Sequence, residues 1–275
     1  MKRRVKLGQH FLIDQDVLTE VVKCIKIKRG EKIIEVGPGK GVLTAELLKK
    51  GAKVTAVEID GNLVEILRRR FVDNKDLEII NQDILDFISD SYLAKPDLAP
   101  PDKLIGNIPF QITSPLLRKI FKLDNPPQLI VLMVQKEVAE RICAKPGDSR
   151  RGFLSVVVQY YSRPKIVQIV PKESFYPVPK VESAILRIKV KKDLIVRAKS
   201  RTSRLAAARS KNMELFKIVQ AGFSQKRKKL RNSLAGGLRR EPKEIEKILQ
   251  KAGIDSNLRA EDLSIKQWKK VNSML

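Results

Sequence analysis

Three short segments of this 275-residue chain place glycines and carboxylates where a nucleoside could be held. The first is Glu35-Val36-Gly37-Pro38-Gly39-Lys40-Gly41. Its glycines let the backbone approach a ligand closely, and the N-terminus of a helix starting just after it favours an anionic group. The spacing is G-x-G-x-G. Val42 stands where a dinucleotide-binding loop would carry its third glycine, and no G-K-[ST] follows, which argues against both an NAD loop and a P-loop. The second segment is Val57-Glu58-Ile59-Asp60, where an acidic side chain can accept from both hydroxyls of a ribose. The third is Asn81-Gln82-Asp83-Ile84, whose carboxylate can accept from an exocyclic amine such as that of adenine. Taken singly, each is an ordinary loop. Together, and in register, they suit an adenosine bearing an amino-acid tail, which is S-adenosyl-L-methionine.

A fourth segment, Gly106-Asn107-Ile108-Pro109-Phe110-Gln111, is the most specific in the chain. It resembles the N-[ILP]-P-[YF] signature of methyltransferases that act on amines conjugated to a planar system. The lone pair of an adenine N6 amine is delocalised into the ring, so the amine is a poor nucleophile and gains most from being held and aimed. The Asn107 side-chain oxygen and the Ile108 carbonyl are the candidate acceptors for its hydrogens. Pro109 stiffens the loop by fixing φ, and Phe110 offers a face on which a flipped base can stack. No strong general base is needed, which agrees with a single histidine, His10.

The elements that must carry these segments follow from hydrophobic periodicity. Strands are predicted at 32–36, 53–58, 77–81, 103–106 and 129–134, with helices over 42–50 and 63–71. Strands alternating with helices imply a parallel α/β sheet, which places a ligand at the strands' carboxyl ends. Two later strands, 165–170 and 183–190, have no long helix between them and would close the sheet as a hairpin, with one strand antiparallel. Helices are predicted at 213–221, 224–234, 242–252 and 264–271, punctuated by Gly222, Gly236-Gly237 and Gly253. The expected fold class is therefore α/β, a mostly parallel sheet plus a small helical C-terminal domain. The expected domains are 1–190 and 191–275.

Charge points to a polyanionic partner. The chain carries 56 Lys+Arg against 31 Asp+Glu, a formal net charge of +25, and residues 191–275 alone hold 23 against 8. Such an excess most simply implies nucleic acid. Lys226, Arg227, Lys228, Lys229 and Arg231 form the densest run, either phosphate contacts or a solvated helix face. The two cysteines, Cys24 and Cys143, form no C-x-x-C pair, so neither a disulfide framework nor a structural metal is expected. No stretch approaches the roughly 18 apolar residues of a membrane span. A cytoplasmic protein, expected to be monomeric, is the reading.

In chain order, these motifs resemble the ribosomal RNA small-subunit adenine N6,N6-dimethyltransferases, the kasugamycin-resistance enzymes. The matching segments are Gly8-Gln9-His10-Phe11-Leu12, 34–39, 57–60, the Asn107 motif, 133–141, 153–160, Phe175-Tyr176-Pro177-Val178-Pro179-Lys180-Val181-Glu182-Ser183 and 223–234. The resemblance implies a Rossmann-like class I methyltransferase sheet and dimethylation of two adjacent adenosines near the 3′ end of 16S rRNA, within a 30S assembly intermediate. It puts cofactor contacts on Gln9, His10, Leu12, Gly37, Gly39, Glu58, Ile59, Asp83, Ile84 and Asn107. It makes Asn107, Ile108, Pro109 and Phe110 the catalytic group, Phe175 a second wall for the adenine, and the 226–231 run an RNA contact. Many family members have Asn where His10 stands, and Tyr where Phe110 stands. The erythromycin-resistance enzymes, which methylate large-subunit rRNA, share the catalytic half; the long motif from Phe175 and the basic tail favour the small-subunit reading. A non-enzymatic RNA-binding factor is the rival from another class.

Overall fold

The computed structural model describes residues 10–93, 101–123, 125–191 and 203–275, with the side chains of 92, 93, 110 and 203–211 excluded. Among these, the chain separates into two compact units, Met1–Ala139 with Arg163–Ile195, and Glu140–Ser162 with Val196–Leu275. The sequence reading divides the chain after 190. The difference is the segment 140–162: Val156 is fully buried in the core of the helical unit, with Phe153 and Tyr160 packed against it.

The first unit is built on a seven-stranded sheet. Its strands are β2 (Lys32–Val36), β3 (Lys53–Glu58), β4 (Leu77–Asn81), β5 (Lys103–Asn107), β6 (Leu129–Gln135), β7 (Ser162–Val170) and β9 (Ser183–Val190), in the order β4-β3-β2-β5-β6-β9-β7. Strands β4 to β6 pair in parallel and β9 runs antiparallel to β6. The inner strands are rich in aliphatic residues because both faces are covered. Ile33, Ile34, Val54, Ile105 and Val131 are all 2 % exposed or less.

Local chemistry sets the helix starts. Helix α1 (Gln15–Ile25) is capped by Asp14, whose carboxylate accepts from the backbone N–H groups of Asp16 (3.0 Å) and Val17 (3.1 Å). Helix α2 (Val42–Lys49) begins after Gly41 at φ +78°, a left-handed cap that glycine adopts without strain. Asp60 caps α3 (Gly61–Arg70) and Asp83 caps the short α4 (Ile84–Phe87).

A second, two-stranded sheet escapes local pattern reading. Strand β1 (Phe11–Leu12) pairs antiparallel with β8 (Phe175–Tyr176), with Phe11 opposite Tyr176 and Leu12 opposite Phe175. The Ile13 N–H donates to the Ser174 carbonyl (2.9 Å) and the Ser174 hydroxyl to Asp14 (2.8 Å). These bonds bring the amino-terminal segment beside the strand ends of the main sheet.

In the second unit, Trp268 is fully buried in a core with Val219, Leu234, Ile245 and Leu249. Helix α8 (Ser203–Gly222) contains the predicted 213–221 segment, and α10 (Pro242–Lys251) and α11 (Ile265–Met274) fall close to prediction. The 224–234 prediction fails at its start. A 3₁₀ turn occupies Phe223–Gln225, and helix α9 (Leu230–Leu238) begins only after Lys229. Gly236 and Gly237 lie inside α9 rather than ending it. A Cβ on Gly237 would sit 2.5 Å from the Ala221 Cβ, so this glycine lets two helices cross closely. No described helix is long and apolar enough to cross a membrane.

Candidate active site

The three nucleoside-type segments and the Asn107 motif converge on one cavity of about 850 Å³, at the carboxyl ends of β2, β3, β5 and β6. Its floor is the glycine loop. Gly37, Gly39 and Gly41 have φ of +64°, +59° and +78°. A Cβ on Gly39 would press to 3.1 Å from the Phe11 ring, and φ there is one that L side chains rarely adopt. The Gly37 N–H donates to the Val57 carbonyl (2.9 Å), which ties the loop to β3.

The acids hold this loop and keep acceptor capacity. Glu58 is 4 % exposed; its carboxylate accepts from the N–H of Gly39 (3.2 Å) and of Asp60 (3.0 Å). Each carboxylate oxygen has a second lone pair, so Glu58 can also accept from a diol. Asp83 spends one oxygen on the Leu85 N–H (2.7 Å) as a helix cap, and the other remains an acceptor. Glu35 was not singled out from sequence as a site residue. It is 1 % exposed, lines the cavity and accepts from the Thr44 hydroxyl (2.7 Å). Burial pushes its carboxyl up to about 7; the Thr44 bond opposes the rise and the nearby Glu58 charge adds to it.

Asn107 ends β5 with its amide already oriented. Its Nδ2 donates to the His10 carbonyl (3.0 Å), which leaves Oδ1 as the acceptor of the pair. Ile108 donates its N–H to the Met133 carbonyl (3.2 Å), and Pro109 caps helix α5 (Phe110–Ile120) at φ −57°. The side chain of Phe110 lies outside the described residues, as does Gln9. His10 turns its ring Nδ1 to the Pro177 carbonyl (2.6 Å), an acceptor only, so Nδ1 carries the proton there. Gln135 also borders the cavity. Its Oε1 is buried with no partner among the described residues.

Other sequence-chosen residues are placed differently from one another. Leu12, Ile59, Ile84 and Phe175 all line the cavity. Phe175 is only 2 % exposed, lines the cavity and packs against the main core; its neighbour Tyr176 is the exposed aromatic, at 68 %. The basic run belongs to the other unit, and four of its five residues lie before the helix, which corrects the reading of a helix face. Lys226, Arg227, Lys228 and Lys229 precede α9. Lys226 donates to the Ser149 carbonyl (3.1 Å) and Lys229 to Asn257 (2.8 Å), both neutral acceptors. Arg231 is paired with Glu246 (2.8 Å), so its charge is largely compensated.

The family follows from comparison with known proteins. The profile described as ribosomal RNA adenine dimethylase matches residues 1–275. The chain belongs to that family. It is 40 % identical over 271 residues to the ribosomal RNA small subunit methyltransferase A of Dehalococcoides mccartyi, covering 98 % of this chain and 88 % of that one. It is also 40 % identical over 270 residues to the protein of the same name from Clostridioides difficile, covering 98 % and 89 %. Among solved structures, a dimethyladenosine transferase from Plasmodium falciparum aligns with a TM-score of 0.77 at 24 % identity, over 95 % of this chain and 96 % of that one. The 23S rRNA methyltransferase ErmE aligns at 0.68 and 25 % identity, over 96 % and 99 %. The sheet is thus a class I methyltransferase sheet, and the chain is a methyltransferase with S-adenosyl-L-methionine as donor. The residues present fit that donor: a glycine cradle that a Cβ would fill, acids at two successive strand ends, and an unpartnered buried amide oxygen at the wall.

Proposed function

We propose that the protein dimethylates the N6 amines of two adjacent adenosines near the 3′ end of 16S rRNA. It acts as a cytoplasmic monomer on a 30S assembly intermediate. The observation that carries the reading is the Asn107 amide, whose nitrogen is bound to the His10 carbonyl so that its oxygen is the acceptor left beside the cavity.

In this reading, Gly37, Gly39, Glu58 and Asp83 hold the donor's nucleoside, with Ile59 and Ile84 against its ring and His10 and Leu12 at its tail. When bound, the donor supplies an electrophilic methyl group. The chain's own part is orientation. Asn107 Oδ1 and the Ile108 carbonyl accept hydrogen bonds from the two amine hydrogens in the first transfer and from the one remaining hydrogen in the second, which turns the nitrogen lone pair toward the donor, and each transfer releases one proton to solvent. Pro109 keeps those two acceptors at a set spacing, and Phe110 provides the stacking face. Lys226, Arg227, Lys228 and Lys229 contact RNA phosphates; Arg231, tied to Glu246, contributes least.

The test offers labelled donor with small subunits lacking the modification, and separately with naked large-subunit rRNA. Transfer to adenine of the small subunit supports the reading. Transfer to the large-subunit RNA alone assigns the chain to the other substrate.

A further inference from the structure

Tyr176 is an exposed aromatic lining the cavity, with no part in holding the donor or the methylated amine in the reading above. In the β1–β8 ribbon it lies directly opposite Phe11, so the two side chains share one face; Leu12 and Phe175 share the other face and pack into the core. Phe11 is pressed against the glycine loop, with the Lys40 ammonium 5.2 Å from its ring centroid. Tyr176 is 68 % exposed, and Ile13 and Val178 beside it in the chain segments of the ribbon are 57 % and 54 % exposed. All three line the cavity, as do Lys40 and Lys180. The backbone beneath is fixed by the ribbon, by Ile13 to Ser174 (2.9 Å) and by His10 to Pro177 (2.6 Å).

An apolar shelf of this kind, rigid and fringed by ammonium groups, matches one chemistry: a planar base with a phosphate attached. The base that enters the cavity must bring its amine to Asn107 and Ile108, so it is not the base on the outer shelf. Extruding that base also strips a stacking partner from the nucleotide beside it.

We infer that Tyr176 stacks on the nucleotide adjacent to the adenosine being methylated and replaces its lost neighbour, while Lys40 and Lys180 take the intervening phosphates. Tyr176 is in this sense a positioning residue for RNA. The inference rests on the adenine-methylation reading above.

The test compares the parent protein with Tyr176→Ala and Tyr176→Phe on small subunits lacking the modification. Loss of one stacked base predicts a KM for the subunit raised about tenfold in Tyr176→Ala, with kcat changed by less than about twofold. Donor affinity by calorimetry stays at the parent value, which also reports an intact fold. Tyr176→Phe restores the parent KM. In parallel, a 3′-terminal rRNA hairpin with 2-aminopurine in place of either adjacent adenosine reports stacking by quenching. The parent and Tyr176→Phe quench it, and Tyr176→Ala does not. Unchanged KM and quenching in Tyr176→Ala overturn the inference, and so does weakened donor binding, which would put Tyr176 in the donor site. Failure of the parent to methylate adenine at all is a different result and defeats the underlying reading.

Discussion

Gly106 stands one residue before Asn107 and opposite Val36 in the parallel pair of β5 and β2. A Cβ there would lie 2.5 Å from the Val36 carbonyl oxygen and 2.9 Å from the Val36 Cβ. The closer contact falls about 0.9 Å short of the 3.4 Å at which ordinary contact begins. The obstruction is backbone on a buried central strand, so no side chain can swing away. Gly106→Ala must therefore part the two strand ends, one carrying the glycine loop and the other Asn107. Overpacking of this kind costs about 1–3 kcal/mol of stability. A misplacement approaching 1 Å at a positioning group costs about 100-fold in turnover. The expected outcome is a lowered but cooperative thermal transition, donor affinity weakened by less than the turnover, and methyl transfer down about 30- to 100-fold. Gly152→Ala serves as control, because φ is −148° and no atom lies within 4 Å of the added carbon. The assay is transfer of labelled methyl to small subunits, beside circular dichroism melts and calorimetry. Parent-like turnover in Gly106→Ala would refute the claim that strand spacing sets the position of Asn107.

Three further outcomes follow from the same geometry. Glu58→Gln removes a charged acceptor from the donor site and should weaken donor binding by about 1.5–3 kcal/mol in calorimetry; unchanged affinity would take Glu58 out of the site. Glu35 is held near 7 when folded, against 4.5 for the ordinary group, so the folded protein keeps its proton where the unfolded chain has lost it. Its contribution to stability is therefore full below about pH 4.5 and is lost as pH rises to about 7, by an amount of order 3 kcal/mol. Melts of Glu35→Gln should gain on the parent across that interval and run parallel to it above. Removing Lys226, Arg227 or Lys228 should flatten the slope of log K for RNA against log salt by about 0.7–0.9 each, whereas Arg231→Ala, whose charge already meets Glu246, should flatten it less.

Much of the sheet was legible because the inner strands are largely buried, with a glycine or an acid at or next to their ends, while the edge strand β4 is only partly buried. The predicted limits at 32–36, 53–58 and 77–81 coincide with β2, β3 and β4. The convergence of the glycine loop, Glu58, Asp83 and Asn107 follows from parallel topology once those limits are known. What lay out of reach depends on contacts distant in sequence. The bond from His10 to Pro177 spans 167 residues, and two-residue strands leave no periodicity to detect. Tyr176 and Phe175 are adjacent aromatics, and only the register of the ribbon tells which one faces the core. Gly236-Gly237 looks like a helix stop, yet the close approach of Ala221 makes it a crossing point. The basic run has helix-forming residues, but Leu230, fully buried, marks where packing starts the helix. The segment 140–162 joins the helical unit through Val156, a choice made by tertiary burial and invisible to local pattern.

The central claim is that the Asn107 oxygen holds the amine that is methylated. Mass spectrometry of the 3′-terminal fragment of 16S rRNA tests it most directly, in cells with the gene intact, deleted, or carrying Asn107→Ala. The expected result is two adjacent N6,N6-dimethyladenosines with the intact gene, and unmodified adenosines in the other two strains, with the Asn107→Ala protein still binding donor. Full dimethylation in the Asn107→Ala strain would contradict the account.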